Sequence, residues 1–419
     1  MMRKCMIILV LIAGIYHGAE ACSSAIISSR ATPDGRPLLW KHRDAREMQN
    51  DLRFFKGGKY DFIGLVNTED TTGTQVWMGS NSAGFSIMNT NAYNLDKRGY
   101  RGKMDRDGYL MKEALEKCGS VAEFEHYLKD TNGRRGVIAC FGVIDARGGA
   151  AYFEASPFHF EKFDVSDPKV APSGYLVRTN FGSSGKPRRG SGYIRYQTLE
   201  KLFFQKHLHN ELTPEFLLLE ATRHLSNSVL KTDLYNMEWP DDASSTHYIL
   251  LRNYIVRAGS VSTMVVQGVK SGEDARLTTL WTIPSFQLTT LTIPTWVSAG
   301  DHLPDVVTSK NGKPSLLTKV GLHLKGVCFP IHTWDAKDYL NLAAILNREK
   351  SGILQKIMAQ DSVVINRTKN LLSGWRESGF NQSAAIEFYQ WLDKEVPAFY
   401  QKEFQLDLNE IEIPFLRRD

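Results

Sequence analysis

A cysteine at the first position of a chain sits beside its own α-amino group, and the sequence puts Cys22 where such a terminus would be made. Residues 1–21 have a basic start (Arg3, Lys4), an apolar run over residues 5–15 and a more polar tail closing on Ala19-Glu20-Ala21. This is the layout of a secretory signal with small residues before its cut. The apolar run falls short of the roughly 18 residues that argue for a bilayer span, so a cleaved leader is expected rather than an anchor. Cleavage after Ala21 would free an amine with an ordinary pKa of about 7.7 to 8.0 next to a thiol at about 8.5. Near neutral pH that amine can take the thiol proton, which makes a nucleophile without a histidine. Two blander readings compete: a small buried hydrophobe, or a lipid attachment point that would consume the sulfur. Against lipidation, Ala19 stands where lipoprotein signals usually carry leucine, and residues 16–21 separate the apolar run from the cut.

The segments that must position this terminus follow directly. Residues 23–29 are short, apolar and partly β-branched, Pro33-Asp34-Gly35 makes a turn, and residues 37–40 run apolar again, so a hairpin is expected. Further strands are expected at 62–66, 74–78, 85–88, 137–144, 150–154 and 175–178, then at 247–257, 260–269, 277–281 and 287–292. Helices are expected at 108–118, at 121–129 with Ser120 as cap, and at 194–206. Another should run from Thr213-Pro214, with Thr213 capping and Pro214 in the first turn, to about 225. Residues 335–402 read as mostly helical, with apolar side chains at helical spacing through Leu340, Leu342, Ala344 and Ile345 and again through Ile386, Phe388, Tyr389 and Leu392. Sheets with helices on their outer faces make the class α+β.

A resemblance becomes specific at Cys22-Ser23-Ser24-Ala25-Ile26-Ile27, Asp34-Gly35-Arg36 and Lys41-His42-Arg43-Asp44. Together these resemble the start of the N-terminal-nucleophile (Ntn) amide hydrolases, within them the choloylglycine hydrolase and penicillin acyltransferase groups, whose mature chains begin with Cys and whose second strand ends in Arg-Asn-x-Asp or similar. The resemblance implies that Asp44 holds the terminal amine and orients the thiol. Lys41 stands where the family has an arginine, so a substrate contact made there by a planar guanidinium is in question. The run from Gly79 to Asn91 is similar to the family's Gly-x-Asn-x-x-Gly hairpin, which implies a site-lining role for Asn91. Tyr175-Leu176-Val177-Arg178-Thr179-Asn180 resembles the strand ending in Thr-Asn, whose asparagine is implied to stabilise an oxyanion. Ser191-Gly192-Tyr193-Ile194-Arg195 looks like the family's Ser-x-Arg helix start, with Arg188 and Arg189 as other matches for that positive charge. The implied fold is a four-layer αββα sandwich over residues 22–310, with residues 311–419 as a helical C-terminal extension packed on it. The implied reaction is hydrolysis of a linear amide in a small N-acyl substrate, or transfer of the acyl group to an amine, with no metal and no organic cofactor.

Composition narrows the partners. The formal charge of +5 over 419 residues is small for a nucleic-acid binder, which concentrates basic residues on one face. No segment after the leader resembles a membrane helix, so an exported protein, periplasmic or secreted, is expected, with homo-oligomerisation left open. Cys22, Cys118, Cys140 and Cys328 are too far apart for a zinc motif and too few for a disulfide scaffold, leaving at most one bridge among the last three. His207 and His209, two apart near a helix end, point to different sides and read as surface residues rather than a metal pair. Lys186, Arg188 and Arg189 read either as a solvated loop or as a rim favouring an anionic substrate. Asn366-Arg367-Thr368 matches a glycosylation acceptor in a helical setting that argues against its use.

Overall fold

A computed structural model describes residues 21–414, so the expected leader lies, apart from Ala21, outside the described residues. In chain order the large sheets use β1 (Ser23–Ile27), β2 (Leu38–Asp44), β3 (Asn50–Phe55), β4 (Phe62–Asn67), β5 (Met78–Asn81), β6 (Ser86–Asn91), β7 (Ala139–Ile144), β8 (Ala150–Ala155), β9 (Phe160–Asp164), β10 (Tyr175–Arg178), β11 (Ser260–Gln267), β12 (Thr279–Ile283) and β13 (Ile293–Thr295). One sheet has the order β10-β1-β2-β11-β12-β13 and the other runs β3 to β9 as a meander; both are antiparallel throughout.

The expected hairpin is present as β1 and β2, paired from Ser23↔His42 to Ile27↔Leu38. Its strands are buried on both faces, because β1 and β2 pack over β6, β7 and β8 of the second sheet. The sheets approach closely enough for Ser24 Oγ to lie 2.9 Å from Tyr152 Oη. They meet over Gly142, where an added Cβ would come within 2.3 Å of Met88 and 3.1 Å of Ile26. On the far side of the second sheet, helices α1 (Asp107–Lys117) and α2 (Val121–Asp130) close a core of their own around Phe85, Phe124, Phe141 and Phe153. Ser120 caps α2 as expected, its hydroxyl accepting from Glu123 N at 3.2 Å. Against the first sheet, α3 (Tyr193–Leu208) sets Phe203 6.1 Å from Trp40, and α4 (Leu316–Cys328), α5 (Ile353–Ser378) and α6 (Gln382–Phe404) share one hydrophobic cluster with it. None of these helices is long and apolar enough to cross a membrane.

Several local expectations give way to tertiary contacts. The helix after Thr213-Pro214 starts as expected, with Thr213 Oγ1 accepting from Phe216 N at 3.1 Å, but continues as a π-helix over Phe216–Ala221. Only Tyr248–Leu250 of the expected strand 247–257 is paired, and its partner is Tyr339–Asn341 inside the supposedly helical extension; Asn253 breaks the run at φ +66°. Residues 287–292 form no strand, because side chains take the place of a ladder: Arg223 donates to the carbonyls of Gln287 and Thr290, Asp361 accepts from Thr292 N at 2.8 Å, and Tyr400 Oη accepts from Leu291 N at 3.2 Å. Strands β3 and β9 were not expected; β9 is an edge whose Glu161 and Lys162 are exposed, as suits an unpaired margin. No disulfide joins the buried Cys118, Cys140 and Cys328.

The Arg223–Asp361 pair is fully buried, with Nη2 2.5 Å from Oδ2, and ties α5 to this irregular stretch. Removing one member of such a pair strands the other charge, at a cost of about 3 to 5 kcal/mol. Asp361→Ala should therefore lower urea-unfolding stability by about that amount; a loss under about 1 kcal/mol would contradict the tie.

Candidate active site

Strand β1 starts one residue after Cys22, and its two ladders pair Ser23 with His42 and Ser24 with Arg178. Cys22 therefore lies at the end of both, beside the last residue of β2, Asp44, and the residues just past β10, Thr179 and Asn180. Cys22 is only 7% exposed, and its Sγ donates to the Asp44 carbonyl at 3.8 Å.

The Asp44 carboxylate is buried and gathers donors. Oδ1 accepts from Ser260 Oγ at 2.7 Å and Oδ2 from Arg257 Nη2 at 2.5 Å. The same Arg257 nitrogen donates to the Ala21 carbonyl, so the peptide bond between residues 21 and 22 lies against this cluster. From the first turn of α3, Arg195 sends Nη1 to the Cys22 carbonyl at 2.7 Å and to Ser23 Oγ at 2.8 Å, and Nη2 to Asn180 Oδ1 at 2.6 Å. Asn180, also buried, passes its Nδ2 to the Asn91 carbonyl at 3.1 Å, while its own carbonyl accepts from Tyr93 N and Ser191 N at 3.4 and 3.2 Å. Burial lowers the pKa of Arg195 to about 9 and the Arg257 charge pushes the same way, with Asp44 and Cys22 opposing; it stays protonated at neutral pH. His42, beside Ser260 Oγ at 2.9 Å, is driven down to about 4 chiefly by burial, with Asp44 opposing and Arg257 and Arg195 adding to the effect. It is therefore neutral at physiological pH.

Of the residues singled out in the sequence, Cys22, Asp44, Asn180 and Arg195 come together through these contacts. Asn91 reaches them by its backbone carbonyl, at the end of β6. Lys41, considered as a substrate contact, is buried, with Nζ donating to the Trp77 carbonyl at 2.8 Å and Asn89 Oδ1 at 2.7 Å. Lys186, Arg188 and Arg189 are exposed on the loop between Asn180 and α3, which Lys186 N fastens to the Asn94 carbonyl at 3.0 Å. Sequence reasoning missed Arg257, Ser260 and Lys325. Ser260 pairs with Asp44 where the β2 to β11 register shifts, a kind of irregularity enriched next to active sites, but a bulge leaves no sequence pattern. A carboxylate, two guanidinium groups and an amide around a thiol can orient a nucleophile and stabilise negative charge.

Comparison with protein-family models and with curated proteins finds no match to the sequence. Among solved structures, the chain is similar to a mutant conjugated bile acid hydrolase from Clostridium perfringens, at 10% identity and TM-score 0.35, over 66% of this chain and 92% of the other. It is similar to penicillin V acylase from Agrobacterium tumefaciens at 11% identity and TM-score 0.34, over 66% and 86%. A Caenorhabditis elegans ortholog of N-acylethanolamine-hydrolyzing acid amidase matches at 14% identity and TM-score 0.30, over 49% and 89%. These are loose overlaps at low identity.

Arg195 is the link between α3 and the end of β1. Arg195→Met would leave the Cys22 carbonyl, Ser23 Oγ and Asn180 Oδ1 without that donor, and hydrogen bonds to charged groups contribute about 1.5 to 3 kcal/mol each. Amide hydrogen exchange over residues 22–26 should speed up in this variant while the β7–β8 hairpin keeps its protection; unchanged exchange at both would contradict the link.

Proposed function

We propose that this protein is an exported amide hydrolase of four-layer αββα architecture, in which residues 22–310 form the catalytic domain and residues 311–419 pack on it. Its nucleophile is Cys22, freed by cleavage after Ala21. The observation that carries this reading is the convergence on Cys22 at one end of β1: its thiol on the Asp44 carbonyl, its own carbonyl on Arg195, which also holds Asn180, and the 21–22 peptide bond on the Arg257 that binds the Asp44 carboxylate.

In the proposed reaction the Cys22 amine takes the thiol proton and the sulfur attacks the carbonyl carbon of a linear amide. Asn180, held by Arg195 through its Oδ1, keeps one Nδ2–H on the Asn91 carbonyl and turns the other to the oxyanion, with the side-chain amide of Asn91 as the second donor. The amine hands its proton to the leaving nitrogen as the C–N bond breaks, leaving a thioester on Cys22. Water then attacks, the amine takes one of its protons, and the acid and the free thiol are restored. An amine that reaches the thioester before water receives the acyl group instead, so transfer is the close variant of the same chemistry. The substrate class is a small N-acyl amide.

Turnover on a panel of N-acyl amides tests this. Cys22→Ser should keep the fold and lose most activity, and a residue retained before Cys22 should be as damaging. Asn180→Ala should cost about 10² to 10³ in kcat, the usual effect of removing one oxyanion donor. Undiminished hydrolysis in Cys22→Ser sinks the nucleophile, undiminished hydrolysis in the extended form sinks the amine as base, and a lipid adduct on Cys22 of the exported protein sinks both.

A further inference from the structure

Helix α4 belongs to the segment read as an extension, yet its Lys325 is fully buried and reaches the floor of the site. Lys325 Nζ donates to the Ser260 carbonyl at 3.0 Å and lies 5.0 Å over the Phe286 ring. Ser260 is the residue whose hydroxyl reaches Asp44 Oδ1 at 2.7 Å and lies 2.9 Å from His42 Nε2. Its own backbone closes a short turn, N to the Arg257 carbonyl at 2.9 Å, while its hydroxyl accepts from Arg257 N at 3.1 Å. One serine thus links Lys325, Asp44, His42 and Arg257. An apolar side chain would fill the space of Lys325 without the cost of stripping water from an ammonium, so packing alone does not account for a lysine here.

We infer that Lys325 is a positioning residue for Asp44: it anchors the Ser260 backbone so that the serine hydroxyl stays on the carboxylate, and its charge adds to those of Arg257 and Arg195 around Asp44 and Cys22. This rests on Cys22 being the nucleophile. The groups that act on Lys325 are Asp44 from β2 and Cys328 one turn on in α4; His42, Arg257 and Arg195 surround the same carboxylate. Burial brings Lys325 down to about 7, with Asp44 and Cys328 opposing, while burial raises the Cys328 thiol and keeps it neutral. The Lys325 charge is therefore present below neutral pH and withdrawn as pH rises, so it favours the Cys22 thiolate most on the acid side.

Iodoacetamide labelling of Cys22, followed by peptide mapping from pH 6 to 9, tests this without a known substrate. Lys325→Met should slow labelling at pH 6 by about tenfold, the effect of one pKa unit, with the gap narrowing above pH 8 as the lysine charge of the unmutated protein is lost. Lys325→Arg, charged throughout, should match the unmutated protein at pH 6 and exceed it above pH 8. A Lys325→Met curve that superimposes on the unmutated one overturns the inference, and so does a Lys325→Arg curve that follows the unmutated protein throughout. Should neither variant fold, lysine ¹³Cε NMR of the unmutated protein decides: one lysine titrating near pH 7 is expected, and all lysines titrating above about pH 9 overturns the inference. Failure of the parent reading looks different, since it appears as amide hydrolysis surviving in Cys22→Ser whatever the labelling curves show.

Discussion

Strand β1 is hydrogen-bonded along both edges, to β2 and to β10, and the site exists only in that register. Alternation sends Ser23 toward Arg195 on α3 and Ser24 toward Tyr152 in the second sheet, as the two-residue period of a strand requires. A slip by one residue would reverse every side chain of β1, whose residues are all buried. Both ladders stop just short of Cys22, which lies buried at their end with its thiol against the Asp44 carbonyl. Such positioning is what converts a weakly reactive group into an effective one.

Around that fixed thiol the charges are unbalanced. Arg195, Arg257 and Lys325 converge near a single carboxylate, Asp44, and His42 is kept neutral by burial. Cations drawn into the interior are costly unless acceptors surround them, and here each also reaches a backbone carbonyl: that of Cys22 for Arg195, of Tyr254 for Arg257, of Ser260 for Lys325. In the proposed reaction this excess would favour negative charge at the sulfur and on the oxygen of the attacked carbonyl. Because one of the cations comes from α4, the C-terminal segment is joined to the site as well as to the core.

What could be read in the sequence was what lies close along the chain. The hairpin of β1 and β2, the run from Gly79 to Asn91 and the strand ending at Asn180 are local patterns, and it was the family they resemble that implied one neighbourhood for Cys22, Asp44, Asn180 and Arg195. Arg257, Ser260 and Lys325 join them only through sheet and helix packing, over more than 200 residues from Asp44 in the case of Arg257, and no spacing rule spans that distance. Misread segments have the same origin. Residues 287–292 are rich in threonine and apolar side chains and look like a strand, but Arg223, Asp361 and Tyr400 satisfy their backbone from outside. The burial of Lys41 was equally out of reach, because its two acceptors, Trp77 and Asn89, come from the opposite sheet.

Everything proposed here turns on a covalent bond to one sulfur. Quenching the processed protein in acid during turnover of an activated N-acyl anilide, then weighing it intact and mapping its peptides, would show that bond. The expected result is a mass increase equal to the acyl group, carried by the peptide that begins at Cys22 and lost on treatment with hydroxylamine. An anilide that is hydrolysed while the Cys22 peptide stays unmodified, or an acyl group on any other residue, would contradict it.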